Sequence, residues 1–177
     1  MQIKDLSEWE SYLQPIIDDM RGRPLNIHAL LANHPALLQA WWPLRMYLVN
    51  GGELSQRDCE LVILRTAVFV QNDYEWASHV VRGLDSGLSK SEIDAVRDRD
   101  AAWPAPDEVL LRAVDELSRD HGIAATTLAE LQTHFSDQQI LDVIHVHGMY
   151  LTLGGVLNTW EVALDTHVAE QLPAAHC

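Results

Sequence analysis

The sequence is short of positive charge, of cysteine and of unbroken apolar runs, and each shortage closes off a class of function. There are 12 Lys and Arg against 26 Asp and Glu, a formal net charge of −14 over 177 residues. Nucleic-acid binding draws on a basic footprint that displaces counterions from phosphates, so no nucleic-acid partner is expected. Trp41-Trp42, Trp103 and Trp160 are too scattered to make a base-stacking platform. The two cysteines, Cys59 and Cys177, lie far apart and form no CxxC, which leaves no disulfide framework or zinc ribbon to read. Among nine histidines there is no HExxH or comparable ligand spacing. His145 and His147, two apart on an expected helix, turn to different faces, and His145 reads as a buried, hydrogen-bonded histidine. No metal and no cofactor is expected. The N-terminus MQIKDLSEWE carries early acids and no long apolar region, and no apolar run is read as reaching membrane-spanning length. The expectation is a cytoplasmic protein without a signal peptide and without a membrane partner.

What remains is a hydrophobic fraction of 47% with a mean hydropathy of −0.08, which suits one domain with a sizeable core. Strand-like alternation is hard to find. Helical periodicity runs throughout, so the expected fold is all-α, a single domain over residues 1–177 with about eight helices. A first helix is expected over residues 7–20, kinked or split at Pro15. A short one follows over residues 25–32, and Pro35 opens a longer one that stops at Gly51-Gly52. Ser55 with Asp58 resembles a capping box at the head of the next. Its run Leu61 to Val70 is apolar except for Arg65 and Thr66 and too short to span a bilayer, which marks a buried helix. Gln71-Asn72-Asp73 interrupts it, and a second helix runs from Tyr74 to Gly87. Ser89 with Glu92 caps a short helix, and DRDAAWPAP is a linker. Asp107 opens an amphipathic helix stopped at Gly122, and another covers residues 126–134. Ser136 caps a long apolar one towards Asp165, in which Gly148, Gly154 and Gly155 mark close packing.

Chemistry gathers around the two central helices. Glu75 and His79 are four residues apart, so they share a face and can touch. Asn72 sits at the turn above that face, and Glu60 lies near the head of the buried helix. Burial raises a carboxyl pKa and lowers that of an imidazole, which brings both towards the range where general acid–base catalysis works best. The same spacing also describes an ordinary surface pair worth a few tenths of a kcal/mol, about 0.2–0.5. Glu60 has an ordinary reading as well, as a carboxylate favoured by a helix N-terminal dipole. Asn72 either caps the second helix or orients a substrate carbonyl or carboxylate, and the two roles are compatible.

The segments RDCELVILRTA, YEWASH and GLSKSEI resemble the carboxymuconolactone decarboxylase-like family, which includes the alkyl hydroperoxidase D proteins. LNIHALLANHPALLQAW upstream, and GMY and VLNTWEV downstream, extend the similarity over roughly residues 25–162. The resemblance implies an all-α subunit that assembles through helix faces into a homo-oligomer, as a dimer, trimer or hexamer. It also implies a pocket for a small-molecule substrate. In the peroxidase branch a glutamate precedes a CxxC pair and a histidine. Here Glu60 and His79 occupy the places of that glutamate and histidine, while Asn72 and Glu75 stand where the cysteines would be. Without those thiols the hydroperoxide chemistry has no nucleophile and no resolving partner.

The decarboxylase branch needs neither cysteine nor cofactor and fits better. The expected activity is proton-transfer chemistry, decarboxylation or isomerisation, on a small carboxylated or lactone-type acid. Glu60, Glu75 and His79 are the catalytic candidates, and Asn72, Tyr74 and Tyr150 the candidate substrate contacts. Tyr74 and Trp76 also read as core or interface, and Tyr150 as a packed core tyrosine. Two alternatives stand beside this: a non-catalytic, oligomeric ligand-binding protein on the same fold, and an atypical peroxidase using Cys59. The carboxylate beside Cys59 disfavours its thiolate.

Overall fold

A computed structural model describes residues 1–50 and 52–172. Gly51, part of the expected helix stop, and Cys177 lie outside the described residues. Within them the chain forms ten α-helices and two short 3-10 turns, with no strand. The all-α expectation holds, with more and shorter pieces at both ends than the periodicity suggested.

The expected first helix is broken up. It becomes the 3-10 turns Leu6–Glu8 and Ser11–Leu13 and a helix α1, Gln14–Asp19, with Pro15 in its first turn, where a missing N–H costs nothing. Trp9, Leu13, Ile16 and Ile17 pack with Leu38 and Trp42 in a small satellite core. Next come α2 (Asn26–Leu31) and α3 (Pro35–Asn50), which runs on through Pro43. One face of α3 buries Leu38, Trp42, Leu48 and Val49, while Leu37, Leu44 and Tyr47 stay exposed.

The main core is built on α4, Gln56–Phe69, which packs against α5 (Asp73–Asp85), α7 (Ala105–Asp120) and α9 (Asp137–Trp160). Ser55 caps α4 by accepting the Asp58 N–H, and its hydroxyl donates to the Asp58 carboxylate. Leu61 to Leu64 are fully buried, as the apolar run requires. Arg65 is tolerated there because Asp115 on α7 takes its guanidinium bidentately, at 2.7 Å on both arms. Two shorter helices have different partners: α6 (Lys90–Val96) packs on α4 and α5, and α8 (Ala125–Leu131) on α7, while α10 (Thr166–Ala169) closes the described chain.

The last long helix ends at Trp160 rather than near Asp165, because Glu161 turns into the left-handed region at φ 48°. It also corrects the expectation drawn from apolar runs. An 18-residue window within its 24 residues reaches a mean hydropathy of 1.4, enough in length and composition to cross a membrane, since Gly, His and Thr interrupt the apolar string without adding charge. That stretch is 56% buried against the rest of the fold, as a core helix is. Of its three glycines only Gly154 marks a close approach: a Cβ there would lie 2.7 Å from Val70 Cγ2. Gly148 and Gly155 have nothing within 4 Å of that position.

Candidate active site

The functional candidates converge where α4, α5 and α9 meet. Asn72 caps α5 by accepting the Glu75 N–H at 2.7 Å, which fixes the phase of the helix. With that phase Glu75 and His79 point inward and are almost wholly buried. Glu75 Oε2 lies 3.4 Å from His79 Nε2. On the other side of the ring, Nδ1 is 2.6 Å from Glu60 Oε2, contributed by α4. The result is one imidazole held between two carboxylates. Tyr150 of α9 packs edge-on against it, ring centroids 4.8 Å apart at 87°.

Burial alone would push the His79 pKa down. The Glu60 carboxylate, by charge and by hydrogen bond, together with Glu75, outweighs this, and the imidazole pKa is raised. Nδ1 therefore donates to Glu60, and Nε2 faces Glu75. Burial also pushes the Tyr150 hydroxyl well above its ordinary pKa, with the carboxylates adding to the rise, so it stays a neutral donor. His28, from α2, is held at about 3 by burial and by the nearby Arg45 and Arg82 charges, and is neutral.

The other predicted contacts are placed apart from this cluster. Asn72 spends its carbonyl on the cap and its amide on Asn158 Oδ1, 2.7 Å away, and clasps the α4–α5 turn to α9. It does not line the cavity beside His79. Tyr74 does line that cavity, but its hydroxyl donates to Asp165 and accepts the Ile27 N–H. Of the three candidate contacts, only Tyr150 brings an uncommitted polar group towards the imidazole.

His145 is a further correction. It lies exposed on α9 with Nδ1 2.7 Å from its own Leu141 carbonyl, and His147 is the buried one. The Thr66 hydroxyl donates to the Val62 carbonyl, so it can only accept from His147 Nδ1, at 3.1 Å. Cys59 is buried, with its thiol pushed up to about 12, first by burial and then by Glu60 and Asp142.

Three residues of the site are invisible to motif reading. Ser78, Arg82 and Arg45 line the same cavity. Ser78 and Arg82 could have been found by spacing, since 75, 78, 79 and 82 fall on one helix face. Arg45 comes from α3, with no local signal. The cavity itself is small, about 20 Å³, against a recess of about 410 Å³ on its outer side lined by Glu60, Arg45, Arg82, Asn50 and Gln56. A separate hollow of about 720 Å³ around Trp76, Arg97 and Leu172 shares only Tyr74 with this cluster.

Residues 35–116 match the carboxymuconolactone decarboxylase family. Those residues are similar to that family, and they make up less than half of the 177-residue chain. The matched stretch holds Glu60, Asn72, Glu75 and His79, but stops short of Tyr150. No curated protein matches the chain. Solved structures match its fold. A peroxidase-related protein from Ralstonia eutropha JMP134, described as an alkylhydroperoxidase AhpD core, superposes with a TM-score of 0.84 at 17% identity, over 98% of this chain and 96% of that one. Another peroxidase-related protein, from Silicibacter sp. TM1040, gives 0.79 at 17% identity, over 91% and 88%. The debrominase Bmp8, in complex with 2,3,4-tribromopyrrole, gives 0.79 at 11% identity, over 96% and 94%. The chain thus has an AhpD-like helical fold, and its sequence holds no CxxC pair.

Proposed function

We propose that the protein is a cofactor-free acid/base enzyme that decarboxylates or isomerises a small carboxylated or lactone-type acid. The observation that carries this reading is the buried chain Glu75, His79, Glu60. Ionisable groups are costly to bury, and a buried carboxylate–imidazole constellation beside a cavity is a candidate for proton transfer. In decarboxylation the bond to the carboxyl carbon breaks and its electron pair passes into the lactone as a dienolate. His79 Nε2–H or protonated Glu75 supplies the proton that quenches it. In isomerisation the same pair removes a proton from one carbon and returns it to another. Glu60 lines the outer recess as well as holding Nδ1, so it can recharge the imidazole from solvent.

A second reading is a non-catalytic ligand-binding protein on the same fold. The cavity beside the imidazole has room for about one water molecule, so a substrate or a ligand must open it to enter. A turnover screen with lactone acids, run on wild type, Glu75→Gln and His79→Gln, separates the two. Carbon dioxide release or isomerisation lost in both variants supports the enzyme. Turnover that survives both changes refutes the assigned site, and a ligand recovered unchanged after long incubation favours the binder.

The protein acts as a homo-oligomer in this reading. The exposed apolar side chains of α3 (Leu37, Leu44, Tyr47) and α9 (Leu141, Ile144, Leu151) are surface that a second copy can cover. Light scattering on the purified chain measures the subunit count.

A further inference from the structure

We propose that Arg45 and Arg82 form an anion site that takes the carboxylate of the substrate at the mouth of the pocket. The inference rests on reading the Glu75–His79–Glu60 cluster as a substrate site, and adds the residues that select the substrate's charge.

The geometry starts from two cavities with a common wall. Arg45 and Arg82 are the two side chains that line both the inner cavity beside His79 and the outer recess. The two arginines therefore stand at the boundary between the recess and the cavity beside the imidazole. The Arg82 side chain makes no hydrogen bond or ion pair among the described residues, in a chain where acids outnumber bases by more than two to one. Arg45 is held over the Trp42 ring, 5.1 Å from its centroid, and its one hydrogen bond goes to the weak acceptor Met46 Sδ. Neither guanidinium has a carboxylate partner within ion-pair distance, whereas Arg57, Arg65 and Arg112 all do.

The electrostatics agree with that geometry. The Arg82 charge is close enough to disfavour that of Arg45. Burial and then the Arg82 charge lower the Arg45 pKa, while Tyr150 partly opposes them. Both act on His28, which remains neutral and leaves the positive charge to the arginines. Behind the arginines the cavity offers neutral donors. Ser78 Oγ is buried and has no hydrogen-bond partner, and the Tyr150 hydroxyl makes none among the described residues. A carboxylate between the guanidiniums would point the rest of a small acid at Ser78, Tyr150 and His79 Nε2. A planar carboxylate matches the guanidinium fork, and a neutral ester does not.

The test is calorimetric binding of muconolactone, a butenolide with one carboxymethyl arm, against its methyl ester and inorganic phosphate. It is run on wild type, Arg82→Gln, Arg82→Lys and Arg45→Gln, with circular dichroism confirming that each variant is folded. The expected result is that the acid binds at least about tenfold tighter than the ester or phosphate. Arg82→Gln should lose that preference, and Arg82→Lys should keep part of it. Because Arg45 also packs on Trp42, Arg82 carries the decision if Arg45→Gln fails to fold. Equal binding of acid and ester, tighter binding of phosphate, no binding, or acid binding untouched in Arg82→Gln would each overturn the proposal. Turnover is scored separately. Arginine-dependent binding with the acid released unchanged keeps the anion site and refutes the enzyme, whereas turnover indifferent to Arg82 does the reverse.

Discussion

Glu60 and His79 meet at 2.6 Å across the packing of α4 against α5, nineteen residues apart in the chain, with both side chains almost free of solvent. The contact does two things at once. It fixes the imidazole by one nitrogen and so aims the other at Glu75. It also holds the proton on the ring against the pull of burial.

The catalytic consequence is tested by removing the charge and keeping the shape. Glu60→Gln takes away the partner that raises the His79 pKa, so the imidazole titrates at lower pH in the variant. The pH–rate profile should shift its imidazole limb to the acid side, while His79→Gln loses about 10²–10⁴ in rate at every pH. A profile that stays in place in Glu60→Gln would remove Glu60 from the relay.

The same contact links stability to pH. A histidine whose folded pKa is raised contributes stability that is fully present below its unfolded value, ordinarily 6.5. That contribution fades as pH rises through the folded pKa. The Tm gap between wild type and His79→Gln should therefore be widest on the acid side and narrow above 6.5. A gap that widens with pH would mean that the ring is buried neutral.

Two adjacent glycines of α9 make a paired packing test. Gly154→Ala drives a Cβ to 2.7 Å from the branched Val70 Cγ2, which cannot swing aside, beside the turn that Asn72 caps. Overpacking outweighs the better helix propensity of alanine, and a net loss of about 1–2 kcal/mol is expected. Gly155→Ala meets nothing within 4 Å and should gain up to about 1 kcal/mol. Urea midpoints with matched slopes decide it. Equal effects at both positions would mean that the close contact is not felt.

Local features of this site were readable and distant ones were not. The Glu75–His79 pair follows from helical spacing alone, and Asn72 as a cap follows from its place before a helical pattern. The buried helix α4 follows from an apolar run with a capping serine. Glu60 beside His79 came from family resemblance, because no spacing rule links two residues on different helices. Arg45 enters from α3 for the same reason unannounced. The bond from Tyr74 to Asp165, 91 residues away, could not be foreseen either, and it turns an expected substrate contact into an anchor. The split of the expected first helix was half legible: Pro15 marked the place, but the 3-10 turns before it depend on packing against α2 and α3.

The acid/base reading also requires that Cys59 take no part, and this can be tested directly. Its thiol is buried, pushed up to about 12, and turned towards the Leu48 carbonyl, 3.8 Å away. A peroxidatic thiol has to be ionised and reachable, and this one is neither. In a Cys177→Ser background, so that only one thiol is counted, Cys59 should resist iodoacetamide in the native protein and react fully in denaturant. Cys59→Ala should keep wild-type turnover of any lactone acid, losing only about 1 kcal/mol of stability for the small cavity it leaves. Hydroperoxide consumption that vanishes in Cys59→Ala would require the thiolate to form beside Glu60 despite burial. The buried carboxylate–imidazole chain would then be the activator of a nucleophile, and the proton-transfer assignment would fall.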